Sequence, residues 1–470
     1  MRKRAIVVGT GAGGATVAKE LQRDFEVTVL EAGTDFRRAT LERGSIERLR
    51  RSRLLVDPQL LRLVYRPIRV RRTPDMLLVN GVGTGGTTTM ATGNGIRMDG
   101  DLRALGLDLD REFEEISREI PITTAHQRRW HPTARHLFQT FDDLGLDPVV
   151  TPKMGDAVRC RHCGRCMLGC PYGRKWDSRT YLEEAVRLGA RLITGCAVAR
   201  VANEGGRAKG VVTAGMAGRR FVPADLVVLA AGGLGTPAIL EHSGIACEPT
   251  LFVDPVLTVA ARVPNAWQCN EIEMPFVVQR DGYILSPYFD WISALFHPHW
   301  RHRLQDIVGI MIKLADDNVG SVSGRKMHKL LTPADRSRLD EAVGVATEIL
   351  ARFGADPHEV FLGTVHAGHP GGMLPLTEAS APAVHDDRLP ENVFVADATL
   401  LPRSLGNPPI LTIIALAKRV ARVCATSKQG SDHARACVRP TAAHPEMTRR
   451  QTSTAASEAA RPVGSPIGGP

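Results

Sequence analysis

Short apolar blocks broken by glycine set the pattern of this chain. AIVVGTGAGGATVAKEL opens with an apolar run over residues 5–8, then glycines, then apolar positions at helical spacing. That order predicts a strand, a tight turn and a helix. EVTVLEAG predicts a second strand ending at Glu31, and ARLITGCAVARVANEGGRAKGVVTA predicts two strands around a Gly-Gly turn. ADLVVLAAGGLGTPAIL reads as a buried strand running into a glycine turn and a helix. From residue 247 to about 361 aromatics, prolines and histidines concentrate, as in YFDWISALFHPHW, and the helical stretch DRSRLDEAVGVATEILARFG closes this region. NVFVADATLLPRSLGNPPILTIIALAKRVARV returns to strand, loop and long helix. From about residue 426 the chain is mostly Ala, Ser, Thr, Pro and Arg, which predicts a disordered tail. No internal repeat is visible.

A chain of 470 residues suggests two or more domains, and 43% hydrophobic with 23% charged residues allows an ordinary core. No run of 18 apolar residues appears, so no transmembrane helix is expected. The basic start MRKR leads into the first strand rather than a secretory leader, which places the protein in the cytoplasm. The formal net charge is +10, with arginine dense over residues 37–72. Such a stretch suits an acidic partner or an anionic membrane surface; the ordinary reading is a solvated, arginine-rich face. No zinc-finger, basic-zipper or RNA-recognition signature accompanies it, so no nucleic-acid partner is expected.

Two motifs carry chemistry. Gly9, Gly11 and Gly14 form G-x-G-x-x-G between strand and helix, with Glu31 about 20 residues on. Such glycines let a pyrophosphate approach the N–H groups of a helix N-terminus, and the acid takes ribose hydroxyls. A second loop, VNGVGTGGTTTMATGNG (residues 79–95), is rich enough in glycine to pass close to a ligand. The other motif is CRHCGRCMLGCP, in which Cys160, Cys163, Cys166 and Cys170 have the spacing C-x2-C-x2-C-x3-C-P. Chance places three more cysteines at fixed offsets about once in 10^5 starts. That spacing is known from bacterial ferredoxins. Four thiolates could close one [4Fe–4S] cluster. Alternatively, three could bind with a remote cysteine, or a three-iron cluster could form. Zinc sites usually show two separated pairs of cysteines, so zinc is the rival, and a metal-free structural segment is the third reading. The remaining cysteines, Cys196, Cys247, Cys269, Cys424 and Cys437, are scattered.

The order of motifs resembles the glucose–methanol–choline (GMC) family of FAD-dependent oxidoreductases over most of residues 1–425. The N-terminal fingerprint, GGLGTPAILEHSGI at residues 232–245, and HPGG followed by VADATLLPRSLGNPPILTIIALAKR carry the likeness; the last is similar to cholesterol-oxidase-like members. Gly233, Ala246 and Ala91 depart from the family pattern; Asn94 is the candidate replacement for the asparagine absent at 91. The resemblance implies an α/β fold. A Rossmann-like FAD domain would be built from residues 1–125, 186–250 and 384–426, with a cysteine-rich insertion at 126–185. An α+β substrate domain on an antiparallel sheet would span 251–383, with the tail at 427–470.

FAD would then lie against Gly9, Gly11, Gly14, Glu31, Gly85, Gly86, Thr87, Thr88, Asn94, Ala231, Gly232, Asp397, Pro408 and Ile410. Asp397 resembles the acid beside the ribityl chain. The helix after Pro408-Pro409 would turn its free N–H groups toward the reduced flavin's negative charge. Oxidation of an alcohol needs a base for its O–H proton and flavin N5 as hydride acceptor. His369 matches the family's active-site histidine, with His366 as competitor, and Asn407 matches the partner of the substrate oxygen. A His-x2-His metal pair at these positions lacks other obvious ligands. A cluster would take electrons singly from the flavin, which favours a dehydrogenase passing electrons to a protein or quinone. An oxidase with structural cysteines, a GMC-type lyase or isomerase, and an electron-carrier subunit are the alternatives. The apolar middle region leans toward a bulky or apolar secondary alcohol.

Overall fold

The computed structural model describes residues 2–35, 68–215, 218–300, 302–324 and 326–436. Most of the arginine-rich stretch and all of the tail beyond residue 436, with Cys437, lie outside the described residues. Five short apolar strands build a parallel sheet: β1 (Lys3–Val8), β2 (Phe25–Leu30), β3 (Arg191–Ile193), β4 (Leu226–Leu229) and β5 (Val393–Val395). Their order is β5-β4-β1-β2-β3, and every neighbouring pair is parallel. β4 is buried at every position, as a strand covered on both faces must be. Helices α1 (Ala12–Glu20) and α2 (Gly232–His242) follow β1 and β4. Val7, Val29, Val228 and Val395 share one core with Ala15 and Leu240. The strand order reverses at β1, so a crevice opens at its carboxyl end. This is the expected Rossmann-like sheet, assembled from three distant parts of the chain.

A second sheet of nine strands is almost wholly antiparallel. Its centre is Pro255–Arg262, Ile307–Leu314, Tyr283–Pro287 and Phe276–Arg280. Helix α3 (Pro333–Phe353) packs on it through Leu339, Ala342, Ala346, Ile349 and Leu350, a 3.6-residue period legible in the sequence. Thr332 and Asp335 form a capping box at its start, and Gly354 ends it at φ +107°. Ile68–Arg72, Leu77–Gly81 and Val149–Val150 also join this sheet. They fall inside segments expected to belong to the FAD domain and the cysteine insertion. Strand pairing is set by partners far away in sequence, so the linear boundaries at 125 and 185 do not follow it. The described residues up to 426 form one compact unit. The last helix, α4 (Ile410–Ala436), runs past residue 426, where composition sets the end of ordered chain. No helix among the described residues is long and apolar enough to cross a membrane.

Candidate active site

The glycines at the end of β1 do what the fingerprint requires. Gly9 has φ +96°, and a Cβ on it would strike the Ala230 carbonyl beside it. A Cβ on Gly14 would strike the Gly9 carbonyl, so turn and helix touch. Gly11 differs: its Cβ would meet open space, and it caps α1 with no side chain on the helix N–H groups. The free end of α1 therefore faces the crevice and suits a pyrophosphate. Gly13, which the sequence reading passed over, packs against the carbonyl of Ala396. Glu31 is buried at the end of β2. It accepts from Thr10 N at 3.1 Å, Thr10 Oγ1 at 2.6 Å and Gly33 N at 2.8 Å. Burial pushes its carboxyl up and these donors hold it down. Asp397, at the end of β5, accepts from Gly232 N at 2.9 Å, Thr236 Oγ1 at 2.5 Å and Thr399 N at 2.9 Å. It thereby fixes the start of α2 beside Ala231 and Gly232. These residues fit FAD: glycine cradle, free helix end and ribose acid lie at the carboxyl ends of adjacent strands.

The second glycine loop rests on the first. Gly85 and Gly86 have φ +90° and +52°, and a Cβ on Gly86 would lie 3.1 Å from Gly11 Cα. Thr10 Oγ1 accepts from Gly85 N at 3.1 Å, and Thr87 Oγ1 accepts from Gly81 N at 3.2 Å. Thr88 and Ser178 hydroxyls lie 2.9 Å apart, and Ser178 also donates to the Gly85 carbonyl at 2.9 Å. The threonines thus hold the loop's shape. Asn94 is buried with its amide engaged: Lys153 Nζ donates to its Oδ1, and its Nδ2 lies 3.2 Å from Met274 Sδ.

His369 sits in a buried charge network that sequence reading missed. Its Nδ1 lies 3.3 Å from Asp254 Oδ2. Asp254 also pairs with Lys313 Nζ and accepts from Ser404 Oγ. The contact is one of charge and proximity, outside hydrogen-bond geometry. Burial and Lys313 hold His369 below the ordinary histidine value, against the opposing pull of Asp254. Ser404 and Asn407 share one loop, so Asp254 fixes both the histidine and the approach of Asn407. Asn407 is buried and exchanges two amide hydrogen bonds with Gln279, at 3.1 and 3.2 Å. Lys313 is the one charge in the strand sequence IVGIMIKL, and that interruption was the available signal. Competitor His366 is buried, with Nδ1 3.0 Å from the Thr364 carbonyl and 3.9 Å from Asp290.

Pro408 and Pro409 lead into α4, whose first turn is buried. Proline costs nothing there, and the first backbone hydrogen bond of the turn runs from Ile413 N to the Pro409 carbonyl at 2.9 Å, leaving the N–H groups before it at the helix end.

Cys160, Cys163, Cys166 and Cys170 line one cavity of about 40 Å³ together with Thr92, Gly93, Lys153 and Lys175. All four are free thiols, half-buried. The loop curls through positive φ at His162, Gly164, Gly169 and Gly173. Backbone N–H groups of Arg174 and Lys175 point at Cys170 Sγ, 3.3 and 3.4 Å away. Burial pushes the thiols of Cys160 and Cys166 up, so neither is a ready nucleophile. Lys175 Nζ donates to the carbonyls of Thr88, Thr89, Ala91 and Cys166, at 2.7–3.1 Å. This one buried ammonium ties the cysteine loop to the glycine–threonine loop. In kind, the four thiols, the N–H groups aimed at sulfur and the two nearby lysines are what an anionic metal–thiolate centre uses. Among the described residues, however, no three His, Cys, Asp or Glu side chains converge closely enough to hold a metal ion, at the cysteines or at His366 and His369.

Residues 4–258 match the family model described as GMC oxidoreductase, and residues 178–423 match one described as FAD dependent oxidoreductase. An uncharacterized protein of Methanocaldococcus jannaschii is 27% identical over 425 residues, covering 88% of this chain and 98% of its own. An uncharacterized GMC-type oxidoreductase of Mycobacterium tuberculosis is 28% identical over 488 residues, covering 89% and 75%. A long-chain-alcohol oxidase of Arabidopsis thaliana is 24% identical over 359 residues, covering 58% and 46%. Among solved structures, pyridoxine 4-oxidase from Mesorbium loti superposes with TM-score 0.65 at 17% identity, over 90% of this chain and 99% of that one, a likeness of fold.

Proposed function

The chain belongs to the GMC oxidoreductases and is an FAD-dependent enzyme acting on CH–OH groups, and on that premise we propose that it is an alcohol dehydrogenase with His369 as its base. The observation that carries the reading is the chain Lys313–Asp254–His369. Asp254, 3.3 Å from Nδ1, would stabilise the imidazolium by charge, Nε2 would take the hydroxyl proton, and Lys313 would keep the carboxylate ionised while His369 gains charge. Asn407 would hold the substrate oxygen with the amide hydrogen that Gln279 leaves over. Bound FAD would supply the acceptor for the carbinol hydride. The glycines of both loops, Glu31 and Asp397 would position it.

The cysteines would hold an iron–sulfur cluster, which supplies a one-electron outlet to an external protein or quinone. Support comes from the shared cavity, the buried lysines and the direct tie to the glycine–threonine loop. A second reading, an oxidase using oxygen, is supported by the name of the Arabidopsis relative; there the cysteines would be structural. That name and the apolar middle region support an apolar alcohol as substrate.

Two results are expected. His369 is held low, so the base form persists through neutrality. The acid limb of anaerobic flavin reduction by an apolar alcohol should lie below the ordinary histidine value of about 6.5. Asp254→Asn removes the group that raises His369, so the limb should move lower still while the rate falls. A limb that rises in Asp254→Asn would contradict the assignment. Separately, Glu31→Arg should strip FAD on dialysis, because it puts a cation where ribose hydroxyls need an acceptor and where Thr10 and Gly33 donate. Full flavin content in that variant would remove Glu31 from the site.

A further inference from the structure

The surface where the four cysteines meet solvent is strongly basic. Residues 157–175 include Arg159, Arg161, Arg165, Arg174 and Lys175, and no acid. Lys175 is turned inward, as shown above, and Arg165 is buried with its guanidinium 3.3 Å from the Tyr172 hydroxyl. The others stay outside. Arg159 is 74% exposed, Arg174 is half-buried with 41% of its side chain exposed, and exposed Arg161 lies over the Tyr172 ring at 4.6 Å. Exposed Arg129 donates to the carbonyl of Val158, which brings another guanidinium to the same rim. Among the described residues, the carboxylate paired with these arginines is Asp156, 3.8 Å from Arg159 and 3.6 Å from Arg174. Within this rim two large apolar side chains are left in water, Val158 at 67% exposure and Tyr172 at 39%. They flank Cys160 and Cys170 in sequence.

We propose that this surface docks an acidic protein that accepts one electron at a time. The inference rests on the electron-exit reading above and names its partner. A basic rim speeds the encounter with an acidic surface and orients it. A small apolar centre supplies contact without the large buried area that would slow release. Alcohol oxidation yields two electrons and two protons, so two acceptor molecules visit per alcohol oxidised. An anionic membrane carrying quinone would answer to the same charge. The apolar element here is one valine and one tyrosine, which suits a protein contact and is too little to enter a bilayer.

The test uses the whole holoprotein and an acidic blue-copper protein, with a basic c-type cytochrome as counter-probe. Iron and flavin are measured in every sample first. The acidic probe should bind at about 20 mM salt and lose about tenfold in affinity by about 200 mM. Arg159→Glu/Arg161→Glu should lose about tenfold more at low salt, with iron and flavin content unchanged. Arg219→Glu/Arg220→Glu, on the exposed strand Gly218–Pro223, should bind like the parent. Copper reduction by dithionite-reduced protein should slow in step with binding, and the basic cytochrome should not bind. Should the first variant lose iron, Arg129→Glu/Arg174→Glu takes its place. Equal binding by parent and rim variants, no binding by the parent, or rim-dependent binding to phosphatidylserine vesicles but not to the acidic probe would each overturn the proposal. A parent without iron sinks the electron-exit reading and the docking surface with it, and the metal assay separates that outcome from the others.

Discussion

His369→Ala is expected to keep FAD bound and to slow anaerobic reduction of the flavin by alcohol by about 10^2 to 10^4. The two halves of that result have separate causes. Flavin retention would depend on the glycine loops, Glu31 and Asp397, none of which hydrogen-bonds the histidine. The rate depends on a proton acceptor fixed against Asp254, and alanine leaves that carboxylate paired with Lys313 and Ser404 but with no base beyond it. Because the Asp254–Lys313 pair survives, the fold should too, which removing Lys313 would not guarantee. His366→Ala is the companion variant. Its ring is held by the Thr364 carbonyl, so it should retain most of the rate. Parent-like reduction in His369→Ala with an inactive His366→Ala would show that the two histidines had been exchanged in this reading.

Cys163→Ser should lower or abolish the iron content while leaving the flavin half-reaction close to parent. Cys163 lies in the loop after Cys160, whereas His369 and Asn407 lie on separate segments joined through Asp254 and Ser404. Turnover with an external one-electron acceptor should therefore collapse when flavin reduction does not. Electron paramagnetic resonance of the dithionite-reduced parent should show a cluster signal that the variant lacks or alters. If acceptor-linked turnover and metal content are both untouched in Cys163→Ser, the cysteines are a structural segment.

How much of this was legible beforehand follows from how local each feature is. The nucleotide crevice was legible because its requirements are local: Gly9 needs a positive φ, Gly14 has no room for a side chain, and Glu31 ends the next strand. α3 and its capping box were legible for the same reason. The motif singled out His369, but its surroundings left no mark in the sequence. Asp254, Lys313 and Ser404 come from three remote segments and meet only because Pro255–Arg262 and Ile307–Leu314 pair in register. The role of Lys175 was equally hidden, since its partners are backbone carbonyls that leave no mark in sequence. The bond from Lys153 to the Asn94 amide was likewise hidden, because Lys153 lies 59 residues away in sequence. Strand pairing across distant segments likewise moved the early strands Ile68–Arg72 and Leu77–Gly81 into the antiparallel sheet.

The central claim is that one chain carries a flavin that accepts the substrate's electrons and a cysteine-bound cluster that passes them on. Protein purified without exposure to oxygen and analysed for flavin, iron, acid-labile sulfide and zinc tests it most directly. The account predicts one FAD with about four iron and four sulfide per chain, and a visible absorbance that dithionite bleaches in two phases. Flavin with stoichiometric zinc, or flavin with no metal and rapid turnover on oxygen alone, would contradict it.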